Sequence, residues 1–169
     1  PDSKLAGLAA TEKGLRKAFP DPAAVISIIE KGRAENVANA LTHALRLDEP
    51  PTAIIATRSR HTLSIISWLA QHRLSVPRDL SLITITSEPW FGHLLPKPTH
   101  YFSDPANLAR TVARHILPIA RGKSTTSPRK LLIPEYIAGG TLAPQQLVEK
   151  AVSARFKTHR KNGNSRGAE

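Results

Sequence analysis

The chain of 169 residues contains no cysteine and no methionine. Without thiols there is no disulfide, no thiolate nucleophile and no cysteine-based metal site. The missing methionine, with Pro1 at the start, gives the expectation of a fragment or a processed chain. Aromatic residues are scarce, at 5%, so the core has to be aliphatic. No apolar run approaches the ~20 residues needed to span a bilayer. The opening PDSKLAGLAATEKGL has no charged segment followed by an apolar one, so no signal peptide is visible. Internal repeats are absent. So are the HExxH, CxxC and GxSxG patterns and any glycine loop suited to cradling a phosphate. The seven histidines, His43, His61, His72, His93, His100, His115 and His159, show no metal-ligand spacing. The expectation is a protein that is not an enzyme and takes no cofactor and no metal. His61 alone stands out, because it falls in the first turn of a helix beside a presumed cleft.

What remains is a chain of one-domain length that is 40% apolar, which is globular and not disordered. Its net charge is +11. From Gln145 onward, Lys150, Arg155, Lys157, Arg160, Lys161 and Arg166 face only Glu149 and Glu169. Basicity is otherwise spread along the chain. It serves either a solvated surface or attraction to nucleic acid or anionic ligands.

The stretch from Pro50 to Thr86 reads as one strand–helix–strand unit. Ala53 to Ala56 is a short apolar run between Pro51 and the polar TRSR, which predicts a buried strand. Ser59 is expected to cap a helix whose apolar face is Leu63, Ile66, Leu69 and Ala70. Val76-Pro77 closes the helical region. Leu80 to Thr86 is rich in β-branched and apolar residues, as a strand covered on both faces should be. Two strands joined through a helix run parallel with a right-handed crossover. A ligand then sits just past their carboxyl ends, at Thr57-Arg58-Ser59 and Ser87-Glu88.

Before this unit, Ser3 is placed to cap a helix over Lys4 to Phe19, with Leu5, Leu8, Leu15 and Phe19 on one face. Ala23 to Ile29 reads as a strand. Ala34 to Leu45 reads as a helix with Val37, Leu41, Ala44 and Leu45 in register. After the unit come a loop over Ser87 to Pro98 and a short strand at Tyr101-Phe102. Asp104-Pro105 starts a helix with a capping carboxylate and a proline at its first position. Leu108, Val112, Ile116 and Ile119 make its stripe, and Pro118 should kink or end it. Short strands are expected over Lys130 to Ile133 and Tyr136 to Ala138, with Gly139-Gly140 breaking the second. The alternation of helix and strand argues for an α/β layered fold with a parallel sheet. Residues 145–169 read as a short helix to about Phe156 and then a basic, disordered tail.

PTAIIA, the polar turn, the helix, HRLSVPRDLSLITI and the later LLIPEYIAGGTLAP resemble the effector-binding domain of LacI/GalR-type transcription regulators. The likeness covers roughly Ser3 to Pro144. The ending PEYIAGGTLAP is most similar to the subtype that fuses this sensor to a GntR-type winged helix. The resemblance implies mainly the carboxyl-terminal lobe of a type I periplasmic-binding-protein-like domain over residues 1–144. It also implies a small-molecule effector, DNA contacted through a domain absent from this chain, a homodimer, a cytoplasmic location and no membrane.

Site residues follow from the same resemblance. Where the family carries an arginine in its first helix, this chain has Lys4. Where it carries Asn-Asp after the strand, this chain has Arg58-Ser59. Where it carries an aspartate pair after the next strand, this chain has Thr86-Ser87. Lys4, Arg58, Ser59, Thr86, Ser87 and Trp90 are therefore the expected ligand-binding positions, and all of the family's sugar-holding side chains are changed. Either the pocket has degenerated, or it binds an anion such as a phosphate or carboxylate in place of a neutral sugar. Trp90 and Phe91 would stack on a ring or pack the lobe edge. The leading function is a ligand sensor for a repressor. A transport-type binding protein of the same fold and a nucleic-acid binder acting through the basic tail are the alternatives.

Overall fold

Four short strands form one sheet in the order β1-β2-β3-β4. They are β1 (Ala53–Ala56), β2 (Ser81–Thr84), β3 (Thr99–Phe102) and β4 (Glu135–Ile137). The helices are α1 (Ala6–Ala18), α2 (Ala34–Ala44), α3 (Ser59–Gln71) and α4 (Pro105–Ala120), with a short 3-10 helix over Pro89–His93. The computed structural model describes residues 6–19, 21, 24–28, 33–122 and 131–148. Strands β1 and β2 pair in parallel with Ala53 opposite Ser81 and Ala56 opposite Thr84. Strand β3 runs parallel to β2, and β4 runs antiparallel to β3 with Phe102 opposite Glu135. This is the expected α/β layered architecture. Among the described residues no helix is long and apolar enough to cross a membrane.

The core lies where α2 and α3 meet β1 and β2. Val37, Leu41 and Leu45 from α2 join Ile65, Trp68 and Leu69 from α3, Ala56 from β1 and Leu80 and Leu82 around β2. Leu80 and Leu82 are fully buried, and burying such a side chain contributes about 1.5–3 kcal/mol. The α2 face is the one its periodicity predicts.

The α3 face is not. Leu63 is 51% exposed, while Thr62, Ile65, Trp68 and Leu69 point inward. The helix is turned so that Trp68, the largest side chain on it, reaches the core and stacks on His72 at 3.9 Å. Thr62 tolerates full burial because its hydroxyl donates to Arg58 O at 3.5 Å, inside its own helix. Ser59 does not cap this helix. The N-cap is Arg58, in extended conformation, and no side chain caps the free N–H groups. At the other end Arg73 adopts φ 56°, and Leu74 N–H reaches back to Leu69 O at 2.8 Å, the left-handed closure that usually recruits glycine.

The Ser75–Asp79 turn leading into β2 is organised by one carboxylate. Asp79 is 2% exposed. Its Oδ2 accepts from Ser75 N at 2.8 Å and Ser75 Oγ at 3.3 Å, and from Arg78 Nε and Nη2 at 3.1 and 2.8 Å. The hydrogen bond and the charge of Asp79 in turn raise the pKa of Arg78.

Behind β2 and β3 the segment after β4 is stitched back to the sheet. Thr141 Oγ1 donates to Leu82 O at 2.6 Å and accepts from Thr99 N at 2.9 Å. The Thr141 carbonyl is held as well, accepting from Leu82 N at 2.8 Å. Gly139 passes so close to Lys97 O and Pro98 O that a Cβ there would collide with both. Glycine is required by that approach.

Helix α4 starts as expected, with Asp104 Oδ1 accepting from Ala106 N at 2.9 Å and Pro105 at the first position. Pro118 does not end it; the helix runs to Ala120. Proline this near the carboxyl end forfeits a single intrahelical bond, and the last turn closes through Arg121 N to Leu117 O at 3.2 Å. The stripe Leu108, Val112, Ile116 and Ile119 is 44–56% exposed.

Two expected strands are not found. Residues 24–28 form no strand, and Ile26 and Ile28 are each 49% exposed. A strand needs a ladder partner, and among the described residues the outer edge of β1 has none. Residues 131–133 likewise form no strand, with Leu131 and Ile133 more than 80% exposed. The helix expected from Gln145 begins there, residues 145–148 being helical with Val148 fully buried. The tail expected beyond it lies outside the described residues.

Candidate functional site

Because β1, β2 and β3 are mutually parallel in sequence along the sheet, their carboxyl ends reach one edge together. Adjacent strands sit about 4.8 Å apart, so the residues that leave β1 and β2 are neighbours. The ladder runs one step past β2, with Ile85 N donating to Ala56 O at 3.0 Å. The chain then turns from β1 straight into α3. Arg58 is extended (φ −142°, ψ 145°), and its carbonyl accepts from His61 N and Thr62 N at 3.0 and 3.2 Å. This turn leaves the Arg58 side chain exposed and Ser59 half-buried. Among the described residues the Arg58 guanidinium has no hydrogen-bond partner. The first turn of α3 holds no acidic residue, so the positive end of its dipole is not offset locally.

On β2 the exit is built from hydroxyls. Thr84 is fully buried, and its Oγ1 lies 3.3 Å from Thr86 Oγ1. Thr86, Ser87 and Glu88 are half-buried. Glu88 opens the 3-10 helix, its carbonyl accepting from Phe91 N at 3.1 Å. Trp90 is half-buried and meets Phe91 edge-on at 4.6 Å, while Phe91, 1% exposed, meets His100 edge-on at 5.3 Å. That chain of rings gives Trp90 a packing role between the 3-10 helix and β3. His100 is itself tied down, its Nδ1 lying 2.9 Å from Pro98 O.

Topology thus brings Arg58, Ser59, Thr86 and Ser87 to one sheet edge, with Trp90 in the 3-10 helix that follows β2. Lys4, the remaining expected position, lies outside the described residues. The sequence reading passed over the third strand end. Strand β3, expected only as a short crossing segment, runs parallel to β2 and delivers Phe102, Ser103 and Asp104 to the same edge. Asp104-Pro105 was the available signal, since a helix start directly after a strand marks a strand end. Asp104 is engaged there by Ala106 N and, at 3.5 Å, by Arg110. A groove lined by Asn39, Thr42, His43, Arg46 and Leu47 lies along α2 and the turn after it, away from the strand ends.

Comparison with known proteins agrees with the fold. The chain is 28% identical over 87 residues to a probable opine utilization operon repressor of Rhizobium rhizogenes, covering 52% of this chain and 44% of that protein. It is 27% identical over 89 residues to a probable HTH-type transcriptional regulator of Paenibacillus polymyxa, covering 53% of this chain and 26% of that one. The chain thus spans less than half the length of these relatives. Its fold matches a LacI family transcriptional regulator from Bifidobacterium animalis subsp. lactis with a TM-score of 0.67 at 21% identity, over 84% of this chain and 51% of the other. A LacI family regulator from Enterococcus faecium, solved with bound ribose, matches with a TM-score of 0.63 at 17% identity, over 80% and 49% of the two chains. Residues 7–142 match the periplasmic binding protein-like domain, and with most of its length inside that match the chain belongs to this family.

Proposed function

We propose that this chain is the ligand-sensing part of a DNA-binding transcription regulator. A small molecule binds at the carboxyl edge of β1, β2 and β3, against Arg58, Ser59, Thr86 and Ser87, with Lys4 and Trp90 completing the site. The observation that carries this reading is the convergence of three parallel strand ends in a chain of this family. Such an edge is where open α/β sheets place their ligands. The sequence relatives named as a repressor and an HTH-type regulator support regulation over catalysis. The chain acts by binding, in the cytoplasm and as a homodimer. DNA is contacted by a domain outside residues 1–169. Occupancy of the site changes the closure of two lobes, then the dimer geometry, then DNA affinity.

The test uses the protein expressed from its complete gene. Its affinity for the promoter region of its own transcription unit is measured by fluorescence anisotropy, with and without a panel of sugars, sugar phosphates and amino-acid-derived acids. The proposal expects at least one compound to change DNA affinity by about 5- to 150-fold, the usual range of allosteric coupling. It also expects substitution of Arg58 together with Thr86 to abolish that response while leaving DNA affinity without the compound unchanged. A response that survives both substitutions would place the effector elsewhere.

A further inference from the structure

Resting on the sensor reading above, we infer that the ligand of this strand-end site is an anion, a carboxylate or a phosphate, and that Arg58 selects it. The inference comes from counting donors and acceptors at the edge. A neutral polyol presents hydroxyls that each donate a proton, so its site needs acceptors, and ionised carboxylates are the strongest. The residues leaving β1 are Thr57, Arg58, Ser59, Arg60 and His61, with no carboxylate among them. Those leaving β2 begin Ile85, Thr86, Ser87, again without a carboxylate. Of the acids next in line, Asp104 already accepts from Ala106 N and pairs with Arg110.

The cation at this edge is differently placed. Arg58 is exposed and has no hydrogen-bond partner among the described residues. Its planar fork matches a carboxylate or phosphate with two parallel N–H donors. Thr86 and Ser87, half-buried one strand away, add hydroxyls that donate to the same oxygens. The result is a site rich in donors and poor in acceptors, which favours charge over hydroxyls. Glu88, half-buried beside Ser87, is an acid set against it. It would repel a second negative charge, which favours a ligand with its anionic group toward β1 and its neutral or cationic part toward Glu88. Opines, the compounds named for one relative's operon, are amino-acid derivatives that carry carboxylates, and an amino-acid-derived acid has this polarity.

Calorimetry on the protein from its complete gene tests the inference, with matched probes: ribose against ribose 5-phosphate, glucose against glucose 6-phosphate, and octopine as an amino-acid-derived acid. The expected result is that an anionic probe binds more tightly than any neutral sugar. Arg58→Ala should then weaken the anion by about 10- to 100-fold, the worth of a charge-assisted bond, while Arg58→Lys recovers part of it. Glu88→Gln should tighten the more highly charged probes. Circular dichroism confirms that each variant is folded, as an exposed residue at a strand exit allows. A neutral sugar that binds more tightly, and shifts DNA affinity, would overturn the anion inference and leave the sensor reading standing. Anion affinity unchanged by Arg58→Ala would overturn the role of Arg58. No binding by any probe, with no effect on DNA affinity, would overturn the inference and count against the sensor reading too.

Discussion

Thr141→Val is the substitution that best isolates what joins the segment after β4 to the sheet. Valine keeps the shape of threonine and deletes only the hydroxyl. That hydroxyl is fully buried, donates to Leu82 O at 2.6 Å and accepts from Thr99 N at 2.9 Å. Removing it leaves the Thr99 N–H buried without a partner, at a cost of about 1–3 kcal/mol, and strips a bond from Leu82 O. Together the loss should be about 2–4 kcal/mol, a large share of the ~5–15 kcal/mol that holds a domain folded. Thr141→Ser is the control. It keeps the hydroxyl and deletes one methyl, worth about 1 kcal/mol. Urea unfolding followed by circular dichroism reads both, and a constant slope with denaturant confirms that only stability has changed. A valine variant within 0.5 kcal/mol of the parent, or a serine variant as unstable as the valine one, would refute the assignment of this hydroxyl as the join.

The remaining predictions come from other joints. Gly139→Ala should lower stability more than Gly140→Ala, because the first Cβ meets backbone atoms of Lys97 and Pro98 while the second meets only Pro96 Cβ at 3.0 Å; thermal unfolding of the pair checks the order. Asp79→Ala should cost about 2–3 kcal/mol and Arg78→Ala well under 1, since the buried Asp79 carboxylate accepts from Ser75 N and Oγ to hold the turn, and Arg78 is an exposed partner; equal losses in urea would show that the ion pair, and not the turn, matters. Ile116→Lys should change the stability of this 169-residue chain by less than about 0.5 kcal/mol, because the α4 stripe is exposed here. A loss of 2 kcal/mol or more in the same urea assay would show that the stripe is packed within this chain.

Much of this fold was legible because local signals agreed with one another. The bounds of strand β1 and the face of α2 are read correctly, since Ala53–Ala56 is bounded by turn residues and Val37, Leu41 and Leu45 keep one period; β1 is not the buried strand its apolar run predicts, with Ala53 exposed and only Ala56 buried, because it lies at the edge of the sheet. Asp104-Pro105 carried its own cap chemistry. Face and partnership were harder. Helix α3 offers two stripes of comparable hydropathy, and the choice between them falls to the volume of Trp68 and to Thr62, a polar residue that hides its hydroxyl against Arg58 O. Residues 23–29 and 130–133 have the composition of strands, but composition does not supply the neighbour a strand pairs with. Pro118 was expected to kink or end its helix, because sequence alone does not tell how near the helix end it falls. The shared edge of β1 and β2 was legible through the crossover rule, which sets Arg58 and Ser87 there before any coordinates, while Thr86 was an expected position only through the family resemblance. The third strand end was not, because nothing in THYF marks it as parallel to β2.

The central claim is that a small molecule binds at the carboxyl edge of β1, β2 and β3. Hydrogen exchange read by mass spectrometry on the complete protein, with and without the tightest-binding probe from calorimetry, tests it most directly. The account predicts slower exchange in peptides covering residues 57–62 and 85–91, at the exits of β1 and β2, with the interior of α2 unchanged. Protection confined to α2 around Asn39 to Leu47, with none at those strand exits, would contradict it.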